Sequence, residues 1–346
     1  MPPTQQDPAL PEKTPAKTPA ETNGPLSYRI ALCGLAMGAA DIVPGVSGGT
    51  VALILGVYTR LLDALTHVDR RFIGNVLSGQ LGAAARRIDL GFLLLLGGGI
   101  ATSVVGFAGL MSYLLQTHRD VTYAAFFGLI AASGVLVGRM TGRAGKGGYA
   151  ALIILGLAAA AFAAWLAGLT QLAPRPGLLY TFFSGVVAIC AMILPGISGA
   201  YLLLLLGKYE EITGILHRIA KLAITPAEVA TLAVFAAGCL IGLLAFSRLL
   251  RWLLARHWSP TMAALCGLMI GSLRRVWPFQ RDITPEIAKF KLKVFEPYLP
   301  HAADENVIRC IAAAVIGFVL VLVIDALARR RVAKSAAKLK TSSDAA

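Results

Sequence analysis

Charge is scarce in this chain. Asp, Glu, Lys and Arg make up 14% of the 346 residues against 57% apolar types, and mean hydropathy is +0.71. Stretches 91–115, 149–172, 229–244 and 307–327 are nearly free of charge and about long enough to cross a ~30 Å hydrocarbon core. A soluble protein with buried helices is the alternative that this composition argues against. Cysteine is also sparse: Cys33, Cys190, Cys239, Cys266 and Cys310 lie in apolar stretches without C-x-x-C spacing. They read as small packing residues and exclude a disulfide or metal framework. The five histidines (67, 118, 217, 257 and 301) are dispersed, with no H-E-x-x-H, so no metal or phosphohistidine site is indicated. No P-loop is present, so any transport runs on gradients or passively. The first 27 residues are rich in Pro, Thr and Ala, too polar for a signal peptide, and read as a disordered tail.

Two helix breaks dominate what is there. Residues 41–50, Asp-Ile-Val-Pro-Gly-Val-Ser-Gly-Gly-Thr, interrupt one apolar run, and Ile193-Leu-Pro-Gly-Ile-Ser-Gly199 interrupts another. In water these would be ordinary loops. In a bilayer each freed backbone N–H or C=O costs several kcal/mol unless something satisfies it, so such breaks belong where protein, water or ligand replaces lipid.

The breaks belong to a duplication. At an offset of 151, residues 34–65 and 185–216 agree at 12 of 32 positions, among them Pro44/Pro195, Gly45/Gly196, Ser47/Ser198, Gly48/Gly199, Gly56/Gly207 and Tyr58/Tyr209. At an offset of 139, residues 114–129 and 253–268 agree at 8 of 16, including His118/His257 and Gly128/Gly267. Each half holds a broken pair followed by three longer segments, 90–116, 121–138 and 149–172, then 229–255, 260–276 and 306–328. Three crossings is an odd number, so the second half is inverted relative to the first. The expected fold is an all-α integral membrane protein with two broken or re-entrant hairpins and about six full transmembrane helices. Its parts are a disordered tail, 1–27; a first repeat, 28–172, with hairpin 28–66; an inverted second repeat, 173–328, with hairpin 179–216; and a basic tail, 329–346. The second piece of each hairpin, 48–66 and 199–216, is expected as one helix, with Tyr58 and Tyr209 as hairpin-end anchors.

Placing both termini in the cytoplasm keeps Arg70, Arg71, Arg86, Arg87, Arg139, Arg248, Arg251 and Arg256 inside, as the positive-inside rule asks. Arg274, Arg275 and the Lys289–Lys293 run then fall outside and break that rule. The net charge of +14 is otherwise an orienting and lipid-attracting charge, and no basic folded domain suggests nucleic acid.

The residues after each Pro-Gly indicate anion chemistry. Ser47 and Ser198 stand at N-cap positions, before Gly48-Gly49-Thr50 and Gly199-Ala200-Tyr201. A helix starting in mid-membrane presents free N–H donors and its positive dipole end, and glycine admits an anion to the backbone. The plainer reading is that the serines cap their own helices and the glycines pack. Asp41, opposite Met192 in the repeat, is an acid in an apolar segment, where insertion costs about 2.5–3.5 kcal/mol. Such surroundings favour a neutral carboxyl, which makes Asp41 a candidate proton carrier; the alternative is that it lies nearer the interface or binds N–H groups freed by the break. Arg274 is a candidate phosphate ligand or a snorkelling helix-end residue beside Trp277. His118 and His257 fall in short connections and read as interfacial polarity. Ser47 has no base nearby in sequence. No cofactor or metal is implied.

Residues 37–58, Met-Gly-Ala-Ala-Asp-Ile-Val-Pro-Gly-Val-Ser-Gly-Gly-Thr followed by Leu53-Ile-Leu-Gly-Val-Tyr58, resemble the first signature of the bacterial polyprenyl-phosphate transporters. Residues 188–209 are similar to the second, and Gly271-Ser-Leu-Arg-Arg-Val-Trp-Pro278 is also familial, so the likeness covers roughly 28–328. Ala200 departs from the small or hydroxyl residue expected there. The resemblance implies a translocase in the bacterial inner membrane that returns undecaprenyl phosphate from the outer to the cytoplasmic leaflet for cell-wall synthesis. The implied ligands are Gly45, Ser47, Gly48, Gly49, Thr50, Gly196, Ser198, Gly199 and Arg274, with Pro44 and Pro195 as the breaks and Asp41 for coupling. A transporter of a small soluble anion and a membrane lipid phosphatase are the alternatives. A lateral, lipid-facing opening would favour the lipid; an enclosed polar vestibule, the soluble anion.

Overall fold

The computed structural model describes residues 26–42, 47–142, 146–169, 175–220, 223, 225–287, 293–300 and 305–343. Nearly all of the tail expectation, and both Pro44 and Gly45, lie outside them. The order is α1 (Tyr28–Ile42), α2 (Gly48–Ile54), α3 (Tyr58–Thr66), α4 (Arg70–Leu77), α5 (Leu81–Arg87), α6 (Leu90–Thr117), α7 (Arg119–Arg139) and α8 (Lys146–Ala167). There follow α9 (Leu178–Ile193), α10 (Gly199–Leu205), α11 (Tyr209–Ala220), α12 (Pro226–Arg256), α13 (Trp258–Ser272), the hairpin β1 (Gln280–Asp282) and β2 (Phe295–Pro297), and α14 (Glu305–Ser343).

Segments of α6, α7, α8, α12 and α14 are long and apolar enough to cross a membrane. Their outer faces carry bare large apolar side chains such as Val105, Ile154, Leu240 and Ile316, each more than half exposed. A water-soluble surface does not tolerate so much contiguous apolar area, and lipid does. The chain is an all-α, multi-pass membrane protein.

Four details differ from the sequence expectation. The expected helix 48–66 is two, α2 and α3, bent by 112°. The bend sits at Gly56 (φ +74°), and Gly207 (φ +68°) turns the second pair at the equivalent place, a left-handed conformation that favours glycine. The expected span 260–276 is the 15-residue α13, short and largely buried. The linker 67–89 folds into α4 and α5, closed by Asp69, which caps α4 and pairs with Arg87. That guanidinium holds the Asp69 carboxyl well below the usual carboxylate range. Finally, Tyr58, expected as a hairpin-end anchor, is buried, at 1% exposure.

Packing is reciprocal between the halves. α1 lies on α6 and α9 on α12, while α7 pairs with α14 and α8 with α13. The contacts use repeat-equivalent glycines. Gly34 and Gly99 bring the α1 and α6 backbones together, as Gly185 and Gly238 do for α9 and α12. Gly128 meets Ala314 of α14, and its counterpart Gly267 meets Gly156 of α8. Without a hydrophobic drive between helices in lipid, such close approach supplies the association energy. Even the short connections match: Thr122 Oγ1 donates to the His118 carbonyl and Thr261 Oγ1 to that of His257, both at 2.7 Å.

The two ends of the bundle are distinct. At one, Arg251 pairs with Asp63 (2.8 Å), Arg60 with Asp89 (2.7 Å), and Trp258 donates to the Met140 carbonyl. At the other, about 30 Å away along α7, Arg119 donates to the Gln280 carbonyl and Trp277 Nε1 to that of Tyr298. Gly99→Leu is expected to destabilise the protein in detergent by about 1–3 kcal/mol through overpacking. Gly97→Leu, on the open face of the same helix, should leave the thermal midpoint nearly unchanged; equal midpoints for the two variants would contradict the α1–α6 packing.

Candidate functional site

At the first break, Ser47 has extended geometry (φ −121°, ψ 129°) and its Oγ accepts from Gly49 N at 3.2 Å. Asp41, at the end of α1, accepts from Gly48 N through Oδ1 at 2.6 Å. A Cβ on residue 48 would strike that carboxylate. The Asp41 carboxyl thus binds an N–H group freed by the break. The donors at the start of α2 are thus already occupied, by a carboxylate and a hydroxyl of the protein itself.

At the second break, Gly196 turns with φ +87° and Ser198 caps α10, accepting from Tyr201 N at 3.4 Å. Met192 replaces the acid there. Both helices that leave the breaks are only seven residues long. Their dipoles are correspondingly weak, so side chains must provide most of any charge stabilisation.

The breaks meet. Ser47 Oγ donates to the Leu194 carbonyl at 3.3 Å, Tyr58 Oη donates to that of Ile193 at 3.0 Å, and Gly196 N donates to Thr50 Oγ1 at 2.9 Å. Gly49 lies so close that a Cβ there would press on the Ile193 carbonyl oxygen. Ser47, Gly48, Gly49 and Thr50 are all buried. Each break therefore supplies the hydrogen-bond partners that the other lacks, in place of solvent. Tyr201, the repeat counterpart of Thr50, serves another end: its hydroxyl donates to the Leu166 and Leu169 carbonyls at the close of α8.

The second break is also open on one side. Gly196, Ser198, Tyr201, Ser272 and Arg275 line a narrow cleft. Arg275 and Tyr201 also line a neighbouring cavity of about 440 Å³, with Arg274, Gln280, Lys293 and Glu296. The Arg275 guanidinium carbon stands 4.6 Å over the Tyr201 ring. Arg274 lies at the rim, where Nη1 donates to the Ala164 carbonyl at 3.1 Å, in space left by Gly168. Lys293 pairs with Asp282 across the β-hairpin (2.5 Å), which holds the Asp282 carboxyl below its ordinary range. Arg119 secures the hairpin from behind, over the Phe295 ring and onto the Gln280 carbonyl.

Sequence reasoning found both breaks and Arg274. It missed Arg275 as the arginine nearest the break, and it missed Tyr201. The available signal was electrostatic: Arg274, Arg275 and Lys293 were the basic residues that the expected topology left on the wrong side, and these three line one cavity. Removing an acceptor or donor of the cross-tie leaves its partner buried and unpaired. Thr50→Val and Tyr58→Phe are each expected to lower stability by about 1–3 kcal/mol, measured by denaturation in detergent; a loss below about 0.3 kcal/mol in both would mean the cross-tie does not hold the breaks together.

Residues 37–293 match the family model described as undecaprenyl phosphate translocase-like. The chain is 41% identical over 253 residues to a protein of Vibrio cholerae serotype O1 named polyprenyl-phosphate transporter, covering 73% of this chain and 78% of that one. It is 30% identical over 258 residues to a protein of the same name from Staphylococcus aureus, covering 71% of this chain and 85% of that one. No solved structure matches significantly. The paired Pro-Gly-x-Ser-Gly breaks, and the matches spanning them, lead to one conclusion: the chain belongs to the undecaprenyl phosphate translocase-like family.

Proposed function

We propose that this protein is a transporter, not an enzyme, that carries undecaprenyl phosphate from the outer to the cytoplasmic leaflet of the bacterial inner membrane. The names of its relatives support a polyprenyl phosphate as substrate. One observation carries the mechanism: two helix breaks share one buried hydrogen-bond network, and one of them opens onto a cavity lined by Arg274, Arg275 and Lys293. In this reading the cavity faces outward and receives the phosphate. Arginine forks and a lysine offset a headgroup charge of about −1 to −2 that hydrocarbon alone would reject. Arg275 then passes the phosphate to Gly196, Ser198 and Gly199 at the second break. The cross-tie through Ser47, Thr50 and Tyr58 opens to let it through, and the tail stays in lipid. The reciprocal helix pairing supports an inverted repeat, which makes the opposite-facing state the same structure with the roles of the halves exchanged.

Asp41 gives the step a proton. Its carboxylate occupies Gly48 N, a donor the phosphate needs at the first break. Protonation removes that competing negative charge, and ionisation on the cytoplasmic side expels the phosphate. Coupling of this kind requires an acid in one half only, as the Asp41/Met192 asymmetry provides.

In liposomes with labelled undecaprenyl phosphate, Arg275→Ala should slow leaflet exchange at least tenfold with membrane expression preserved. Exchange at the parental rate would remove the cavity from the path, and release of inorganic phosphate from the lipid would point to a phosphatase. Asp41→Asn should flatten the dependence of exchange on pH; an unchanged pH profile would exclude its role as proton carrier.

A further inference from the structure

A second recess adjoins the polar cavity. It has a volume of about 330 Å³ and is lined by Phe127, Leu273, Trp277, Tyr298 and Leu299, together with Arg274 and Pro297. Arg274 and Pro297 also line the 440 Å³ cavity and form a wall common to the two, and Arg274 is the one charged residue among those lining the recess. Its walls are preformed. Phe127, Trp277, Phe279 and Tyr298 make a ladder of edge-to-face ring contacts at 5.8, 6.0 and 6.2 Å. Trp277 Nε1 donates to the Tyr298 carbonyl at 3.1 Å and fixes the segment after β2 to the end of α13. At the lip, Leu299 is 84% exposed and Tyr298 is 39% exposed. The recess therefore opens at the protein surface, beside the exposed Arg274 and the α8 end that it grips.

We propose that this recess is a tail subsite, which holds the isoprene units next to the phosphate while the headgroup lies in the adjoining cavity. The inference rests on the reading of the chain as a polyprenyl phosphate transporter, and it names what makes that site select a lipid. A soluble oxyanion would use the polar cavity alone and leave the apolar walls empty. An amphiphile with an anionic head uses both at once, with Arg274 at the junction where its charge ends and its hydrocarbon begins. Flat aromatic faces suit the planar trisubstituted double bonds of a prenyl chain better than the round section of a saturated one. The occupant is thus the ligand's own first prenyl units, ahead of bulk acyl chains or a second copy of this protein.

The test uses the full chain in phosphatidylcholine nanodiscs with three probes: inorganic phosphate, farnesyl phosphate, and a saturated alkyl phosphate of equal length. Farnesyl phosphate should bind at least tenfold tighter than inorganic phosphate, and tighter than the alkyl phosphate. Leu273→Gln and Leu299→Gln add polarity without charge, so phosphate attraction is kept. Each should weaken farnesyl phosphate about tenfold, the loss of roughly two buried methylenes. Inorganic phosphate binding should stay within about twofold, which also reports that the variants are folded. Equal affinity for the prenyl and alkyl phosphates would assign the recess to bulk acyl chains. Unchanged farnesyl phosphate binding in both variants would likewise overturn the tail subsite while leaving the headgroup cavity intact. Failure of the parent protein to bind either phosphate would overturn both this inference and the transport reading.

Discussion

A helix cannot stop inside a membrane unless its loose backbone groups find partners, and this protein meets that constraint by stopping two helices at one place. Carbonyls at Ile193 and Leu194 accept hydrogen bonds from Tyr58 and Ser47, and Thr50 accepts from Gly196 N. Neither break is self-sufficient. Much else follows: the tight glycine contacts that hold α1 on α6 and α9 on α12 deliver the two breaks to the same depth. The left-handed turns at Gly56 and Gly207 send the short helices away again. A polar centre built this way is stable because its partners are shared between the two breaks.

The halves share a plan and differ in chemistry. Thr50 ties the first half to the second break, and its counterpart Tyr201 instead props the end of α8 and stacks under Arg275. Asp41 fills the donors of the first break, and Met192 leaves the second without an acid. One break is consequently closed by its own carboxylate, and the other is open to a basic cavity. The two halves thus place different side chains at equivalent positions of a similar scaffold.

Much of this was legible in the sequence because the governing signals are local. Apolar run lengths gave the membrane class, and a proline and glycines within such runs gave the breaks. The repeat offsets paired glycines that do meet equivalent partners, as at Gly128 and Gly267. What escaped depends on three dimensions. The bend between α2 and α3 rests on the φ of Gly56, which a lone glycine does not announce. Tyr58 looked interfacial because its hydroxyl partner lies 135 residues away. Arg274 and Arg275 are adjacent, so only the direction in which α13 ends decides which one faces the break.

The central claim is that an anionic headgroup resides between the basic cavity and the second break, under Arg275. An experimental structure of the protein with undecaprenyl phosphate tests it most directly, through the position of the phosphorus atom. The account predicts density within hydrogen-bonding reach of Arg275 and Ser198. A phosphorus bound away from both, with the cavity at Arg274 and Lys293 empty, would contradict it.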